Sequence, residues 1–483
     1  MAPADAVTDS RSDSESETLE RDIGLLGATA IGAGTMIAGG IFVLSGLAVG
    51  NVGAAATVSF ALAAVAASFT ALTYAEFATV YTVDGGGYAY VAEVFDSDWS
   101  YLVGWLLILG YPASAAFYLA SFSDWFNRFA RPAIALPQAL PYWIPGIAVL
   151  AVLVGINLIG TAETRTLQIA LTGLKVALIG LFLVGGFRAF DADVVATSFA
   201  THAAQFEDVA LTSALVFITF FGFEAIATSE GEIEAPERTV PRAIFLSIGI
   251  VTVLYMFVVV VVVLAINDAG FHAFLAERTS MSSSTAATTF VATHGEVALA
   301  RAAQYYLGDI GFYVFIGGAL LSMISAANAT VLAGSRVKLA MADRDHLPEP
   351  VDRVDPQSGV PTVAVILTGG LILAFFMFFG VLFGTPSAEA GQSHGLVLGL
   401  ESLAHLADFM LLAALVFVNG ALIWSRRKNP DRERLFRVPA VPWVPMAAVG
   451  SNLILLASLE LSAVVLGVAA IVVGIGLWFV AID

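Results

Sequence analysis

The sequence lacks cysteine and carries little charge. With no cysteine among its 483 residues, it has no disulfides, no thiol chemistry and no cysteine-ligated metal. Charged residues make up only 12% of the chain and hydrophobic residues 58%, with a mean hydropathy of +0.87. A soluble domain needs more charge to cover its surface, so the composition indicates a membrane protein.

Lysine is also scarce. The chain has 39 acidic residues against 21 basic ones, a formal net charge of −18, and its only lysines are Lys175, Lys338 and Lys428. An acidic surface poor in lysine stays hydrated in molar salt, where charge repulsion is screened within about 3 Å. We therefore expect a salt-adapted prokaryotic source.

Signatures of catalytic and metal sites are missing as well. The six histidines show no HxxH or HExxH spacing, and the chain has no nucleotide-binding loop, no catalytic constellation and no histidine pair for haem within its apolar runs. We expect a protein that is not an enzyme, uses no cofactor or metal and does not bind nucleic acid.

Long apolar runs are abundant. A run of about 18 residues or more can cross a hydrocarbon core roughly 30 Å thick, and runs such as 251–266 do not alternate in polarity as β-barrel strands do. We number twelve runs as spans 1 to 12: 24–48, 52–81, 100–127, 143–160, 167–187, 208–231, 241–266, 308–335, 360–384, 398–424, 441–458 and 461–481. The predicted fold is an all-α polytopic membrane protein in a lipid bilayer.

The basic residues predict the orientation of these spans. With the N-terminus inside, fifteen Lys or Arg residues fall in cytoplasmic segments and five in outer segments. Residues 1–22 are acidic and serine-rich without a basic stretch ahead of an apolar core, so we expect a disordered cytoplasmic tail rather than a signal peptide. The prediction is a multi-pass protein of the cell membrane with both termini in the cytoplasm.

Glycines interrupt spans 1 and 6 at mid-membrane depth. Span 1 contains GAGTMIAGGIF at residues 32–42, and span 6 contains FFGFE at residues 220–224. Glycine costs about 1 kcal/mol relative to alanine inside a helix, so such segments indicate either close helix packing or unwinding. Two interrupted spans at matching places favour unwinding and are typical of inverted-repeat transporters. The pattern predicts repeats of five spans each at 23–190 and 191–424, followed by a basic loop and spans 11 and 12 at 425–483.

A break of this kind suits a zwitterion. Unwound backbone offers N–H groups to a carboxylate at the start of one half-helix and free C=O groups to an ammonium at the end of the preceding one. Backbone alone is enough, so no charged side chain has to be buried to bind the part that all amino acids share.

The same segments resemble the amino acid–polyamine–organocation (APC) superfamily. Residues 34–42, 221–224 and 230–244 are similar to its signatures, and GGYAY at 86–90 supports them. The resemblance runs over essentially the whole chain from Ile23 onward. It implies a substrate site built by spans 1, 3, 6, 8 and 10.

The resemblance also implies which groups bind substrate. The carboxylate ligands would be the amides of Ala38, Gly39 and Gly40, and the ammonium ligands the carbonyls of Met36, Ile218 and Phe221. At Gly222 the substrate would approach the backbone closely. Some relatives place a tryptophan where this chain has Ile218, so neither an aromatic lid from span 6 nor a guanidinium-selective pocket is expected.

Ionisable residues deep inside spans are functional candidates. Lys175 of span 5 corresponds to the place where sodium-coupled relatives of the fold bind sodium, so the resemblance implies another coupling ion; a structural link to the break in span 1 is the alternative. For Glu224 of span 6 the resemblance implies a position beneath the substrate, near Tyr111 of span 3; the group either changes protonation or only ties helices together. Glu76 and Asp408 lie near span ends, where a solvated or helix-capping role is expected.

The predicted function is secondary active transport of amino acids, coupled to protons and independent of sodium. An exchanger of amino acids or amines is an alternative, and so is an amino acid sensor that binds without transporting. Neutral, cationic and amine substrates all stay open.

Overall fold

The computed structural model describes residues 21–37, 40–81, 83, 85–95, 97–134, 141–202, 204–279, 295–356, 358–382, 400–459 and 461–482. The predicted acidic tail at 1–22 lies outside these residues except for Arg21 and Asp22. Ala38 and Gly39, two of the predicted carboxylate ligands, also lie outside them.

The described chain is almost entirely helical, and a helix or a pair of helices occupies each of the twelve predicted spans. In order they are Leu25–Met36 with Gly40–Val52, Ala56–Val80, Ser97–Trp125, Ile144–Ile159, Thr161–Phe187, Phe206–Phe217 with Phe223–Thr228, Pro236–Ile266, Asp309–Ala342, Thr362–Phe375 continued by a π-helical Phe376–Leu382, Leu400–Lys428, Trp443–Ser458 and Leu461–Ile482. Eight helical stretches of the described chain are long and apolar enough to cross a membrane, and three more apolar helices are shorter. The predicted all-α polytopic fold is confirmed.

Shorter helices connect the spans. Gly86–Ala92 follows span 2, Ala192–His202 follows span 5, and Ala269–Thr279 and Gly295–Leu307 lie between spans 7 and 8. The largest boundary difference is at span 8, which was predicted to end at 335 and continues to Ala342. The helix does not stop at its basic residues because the structure buries them: Arg336 and Lys338 are each only 2% exposed.

The centre of the bundle is built from spans 1, 3, 6, 8 and 10. Span 3 packs along spans 8 and 10, and the first half of span 1 contacts spans 5, 6, 7 and 8. Large apolar side chains such as Val152, Leu181 and Val472 are exposed on the outside of the bundle, where lipid would cover them. The two glycine-interrupted spans therefore lie in the protein interior, where non-helical backbone is tolerated at membrane depth.

Candidate functional site

Span 1 is broken where its glycines predict. Its first helix ends at Met36, Ile37 leaves helical geometry with a ψ of 51°, and the second helix begins at Gly40. Close packing contributes as well, because a Cβ on Gly34 would lie 2.3 Å from Nε2 of Gln168. The glycines before the break pack tightly, and the break itself frees backbone groups.

Span 6 is broken at the matching place. The helix Phe206–Phe217 gives way to one 3₁₀ turn at Ile218–Phe220, and a new helix begins at Phe223. Between them Gly222 adopts a φ of +138°, a conformation that side chains disfavour. A Cβ there would lie 2.8 Å from Cβ of Thr35 and 2.9 Å from the backbone nitrogen of Met36. The two breaks therefore touch each other at Gly222.

A cavity of about 490 Å³ opens beside the two breaks. Its volume falls in the range of small-molecule sites, about 300–1,000 Å³. Spans 1, 3, 6, 8 and 10 all contribute to its lining, as implied, and span 11 adds Leu455 and Ser458, which the resemblance did not imply. The cavity lies where the sequence pattern predicts a substrate.

The predicted backbone ligands are partly brought together. Met36, Gly40 and Phe221 line the cavity. The carbonyl of Met36 already accepts a hydrogen bond of 3.2 Å from the hydroxyl of Tyr255, which leaves it one lone pair for a second donor. The backbone of Ile218 forms the 3₁₀ turn, and its side chain lies outside what the structure describes.

Lys175 is fully buried behind the break of span 1. Its ammonium donates hydrogen bonds to the carbonyls of Gly34 and Ile37, the latter at 3.2 Å, and to Oγ of Ser325 at 3.1 Å. Carbonyls at the end of a half-helix carry partial negative charge. A tethered cation therefore occupies a cluster of oxygens at the break.

A chain of neutral polar side chains supports this lysine, and sequence reasoning missed it. Oγ of Ser325 accepts from Gln168 at 3.0 Å, Oε1 of Gln168 accepts from Asn328 at 3.2 Å, and Oδ1 of Asn328 accepts from Asn157 at 3.0 Å. The chain links spans 4, 5 and 8. A search for charges overlooks such residues; the available signal is an amide side chain within an apolar span.

Glu224 is placed beneath the second break. It is 3% exposed, and the amide of Gly222 donates to its Oε2 at 3.3 Å. Its carboxyl group interacts electrostatically with the phenols of Tyr74 and Tyr111, both buried. The expected proximity of Glu224 and Tyr111 is present, and Tyr74 is a neighbour that was not predicted.

The predictions for Glu76 and Asp408 were wrong. Glu76 does lie near the end of its helix Ala56–Val80, and Asp408 lies two turns inside Leu400–Lys428, but Glu76 is fully buried and Asp408 only 8% exposed, so neither is solvated. Asp408 lines the cavity. Distance from the end of an apolar run does not reveal burial, because the partners and cavities that accommodate a carboxylate come from distant parts of the chain.

Comparison with known proteins identifies the family. The family described as amino acid permease matches residues 23–481, nearly the whole chain. The chain belongs to this family. Permeases of this kind are transporters and not enzymes, and the resemblance to the APC superfamily is confirmed.

Several relatives of this permease match over most of their length. It is 27% identical to the branched-chain amino acid permease of Bacillus subtilis (strain 168), over 96% of this chain and 93% of the relative. It is also 27% identical to the serine/threonine exchanger of that organism, over 92% of each, and 25% identical to its methylthioribose transporter, over 90% and 88%. Two of these relatives are named for amino acids and one for methylthioribose, so substrates differ among them.

One end of the permease is closed by buried ion pairs. We call it the basic face and define it by Arg336, Arg426 and Arg434. Arg426 donates to both oxygens of Glu76 at 2.8 and 2.6 Å, and Nε of Arg434 lies 3.0 Å from Oε1 of Glu76. Arg336 pairs with Glu232 in the loop after span 6. These contacts tie spans 2, 8 and 10 to the loops at this end of the permease.

The start of span 1 is hydrogen-bonded to the loop that carries Glu232. The amide of Ile23 donates to the carbonyl of Glu232 at 2.9 Å, and the amide of Glu234 donates back to the carbonyl of Ile23 at 3.0 Å. Nearby, the hydroxyl of Tyr88 lies 2.8 Å from Nδ1 of His346, and burial lowers the pKa of that imidazole. Burial therefore favours the neutral form of this imidazole.

Replacing Glu76 by Gln should destabilise the permease strongly. Removing one member of a buried ion pair leaves uncompensated charge and costs about 3–5 kcal/mol. The thermal midpoint of the purified protein should fall by several degrees. Glu349→Gln is the matched control, because its ion pair with Arg353 is exposed and contributes little. Equal midpoints for the two variants would contradict a supporting role for Glu76.

Proposed function

We propose that this permease is a proton-coupled, sodium-independent amino acid symporter. The observation that carries the proposal is the ammonium of Lys175 among the carbonyls of Gly34 and Ile37 and the hydroxyl of Ser325. Transporters with broken helices coordinate a coupling cation through such freed carbonyls. Here the ammonium of Lys175 occupies the space among these oxygens and repels a second cation, so sodium is not expected to bind at this place.

The substrate lies in the cavity against both breaks. Its carboxylate is received by the amides at the start of the second half of span 1, among them Gly40, and its ammonium by the carbonyls of Met36, Ile218 and Phe221. The cavity volume and the position of Gly40 and Phe221 in its lining support this arrangement. Lys175 and Glu224 are the proposed proton-carrying groups, because each is buried beside one of the breaks.

We also propose the repeat organisation and the orientation of the chain. Residues 23–190 and 191–424 form the two repeats, which the corresponding breaks in spans 1 and 6 support. The basic face is the cytoplasmic side, as the excess of Arg and Lys in its loops favours. With that face closed by ion pairs, the cavity is reached from the outer side.

Exchange is the second candidate function. It is favoured by the similarity to a serine/threonine exchanger over nearly the full length of both chains. An exchanger uses the same substrate site and needs no net movement of an ion.

Uptake into proteoliposomes under separate gradients tests the proposal. A substrate is first found by thermal shift, since a ligand of the folded state stabilises it by mass action. Uptake should then rise several-fold with an acid-outside pH gradient and be unchanged when sodium is replaced by another monovalent cation. Ionic strength is held constant, because withdrawing salt from an acidic protein can lower its stability and imitate sodium dependence. A rate that follows sodium and ignores pH would overturn the coupling; a rate that needs internal amino acid would favour exchange.

A further inference from the structure

The substrate cavity contains a carboxylate that no proposed step has used. Asp408 lies about 12 Å along span 10 from the start of its helix at Leu400. It is 8% exposed and borders the cavity. Within the described chain it has neither a hydrogen bond nor an ion pair, unlike Glu76, whose charge is matched by two arginines.

The described lining of the cavity that Asp408 borders combines apolar side chains with hydroxyl groups of Ser, Thr and Tyr residues. Phe117, Leu412 and Met323 line the cavity with it, and no lysine or arginine appears in the described lining. An ionised carboxylate in such a place is costly unless a positive charge accompanies it. A cationic group that enters with the ligand would supply the missing positive charge and stabilise the ionised form of Asp408.

A second polar group points to the same ligand. His405 is one helical turn before Asp408 and also lines the cavity. Its Nδ1 is buried and has no hydrogen-bond partner in the part of the chain that the structure describes. A neutral imidazole nitrogen can accept a hydrogen bond from an ammonium that Asp408 holds.

The position of Asp408 relative to the breaks fits a substrate charged at both ends. Asp408 lines the same cavity as Met36 and Gly40 beside the first break and Phe221 beside the second. Apolar side chains of this lining, among them Phe117 and Met323, suit a methylene stem. We propose that the permease carries amino acids whose side chain ends in a cationic group, with Asp408 as the counter-charge of that group.

This inference rests on the proposed function, because it assumes that the two breaks hold the α-carboxylate and α-ammonium. L-Lysine and L-norleucine form a suitable pair of probes, since norleucine has a similar stem without the terminal ammonium. Wild-type permease should bind lysine at least about tenfold more tightly than norleucine, the effect expected for one hydrogen bond to a charged group. Binding is measured at constant ionic strength on the purified full chain.

The variant Asp408→Asn tests whether Asp408 is the group that gives the preference for lysine over norleucine. The variant should lose about 10- to 100-fold in affinity for lysine, while norleucine binds as well as before or better. Asp408→Glu, which keeps the charge, should retain the preference for lysine. The control is Glu349→Gln, which removes one negative charge from an exposed ion pair and should change neither affinity.

Three outcomes would overturn the inference. If the wild-type permease binds norleucine more tightly than lysine, it has no specificity for cationic side chains. This result does not depend on the folding of any variant. Equal losses for both probes in Asp408→Asn would mean that Asp408 binds the α-ammonium or supports the cavity. Unchanged affinities would mean that it does not meet the substrate. If wild type binds no amino acid at all, the proposed function itself fails, which is a different result from binding only neutral ones.

Discussion

Replacing Lys175 by alanine is expected to abolish the response of uptake to an imposed pH gradient and to lower the initial rate at least about tenfold. The change leaves the carbonyls of Gly34 and Ile37 without their donor. An unpaired buried acceptor costs about 1–3 kcal/mol, so the break in span 1 loses a contact that holds its geometry. If the ammonium also carries the coupled proton, the ratio of rates with and without the gradient falls to one.

The ratio of uptake rates with and without the pH gradient distinguishes proton coupling from structural support. A lysine that only links span 5 to span 1 would, when removed, lower the rate and the thermal midpoint but leave the ratio as in wild type. That result would assign proton transfer to Glu224. Lys428→Ala is the matched control, because Lys428 is exposed at the end of span 10 and should affect neither quantity.

Much of the fold could be predicted because a membrane imposes a length on every span. The apolar runs located all twelve spans, and the glycines located both breaks, since unwinding at mid-depth needs residues without side chains. The wrong C-terminal boundary of span 8 shows the limit of prediction from apolar runs. Arg336 and Lys338 looked like the end of a helix, but burial depends on partners such as Glu232, which lies more than a hundred residues earlier in the chain.

Sequence reasoning pointed to the two backbone breaks of the candidate site and to two of its buried ionisable residues, Lys175 and Glu224. Lys175 was found because a charge in mid-span is conspicuous, and the structure shows the oxygens that it contacts. The support from Gln168 and Asn157 was missed because neutral polar residues are less conspicuous in an apolar run. Asp408 was misjudged because the facing side of a helix cannot be chosen without its neighbours, and those come from spans 1, 3, 6, 8 and 11.

Substituting valine for Gly222 should abolish amino acid binding, with a loss of at least about 100-fold. Two effects combine at this position. The φ of +138° is strained for any residue with a side chain, and a Cβ would come within 2.9 Å of the backbone nitrogen of Met36, which cannot move as a flexible side chain can. Either the two breaks separate or the turn at Gly222 rearranges, and both changes displace backbone groups that would bind the substrate.

The matched control for Gly222→Val is Gly249→Val in span 7. A Cβ on Gly249 meets no atom within 4 Å, so this variant adds the same side chain without disturbing the breaks and should bind substrate as wild type does. Both variants are assayed for elution as a single species and for helical content, and affinity is taken from thermal shift against ligand concentration. Retained affinity in folded Gly222→Val would mean that the glycine serves helix packing alone, and the substrate would then have to bind elsewhere than against the contact between spans 1 and 6.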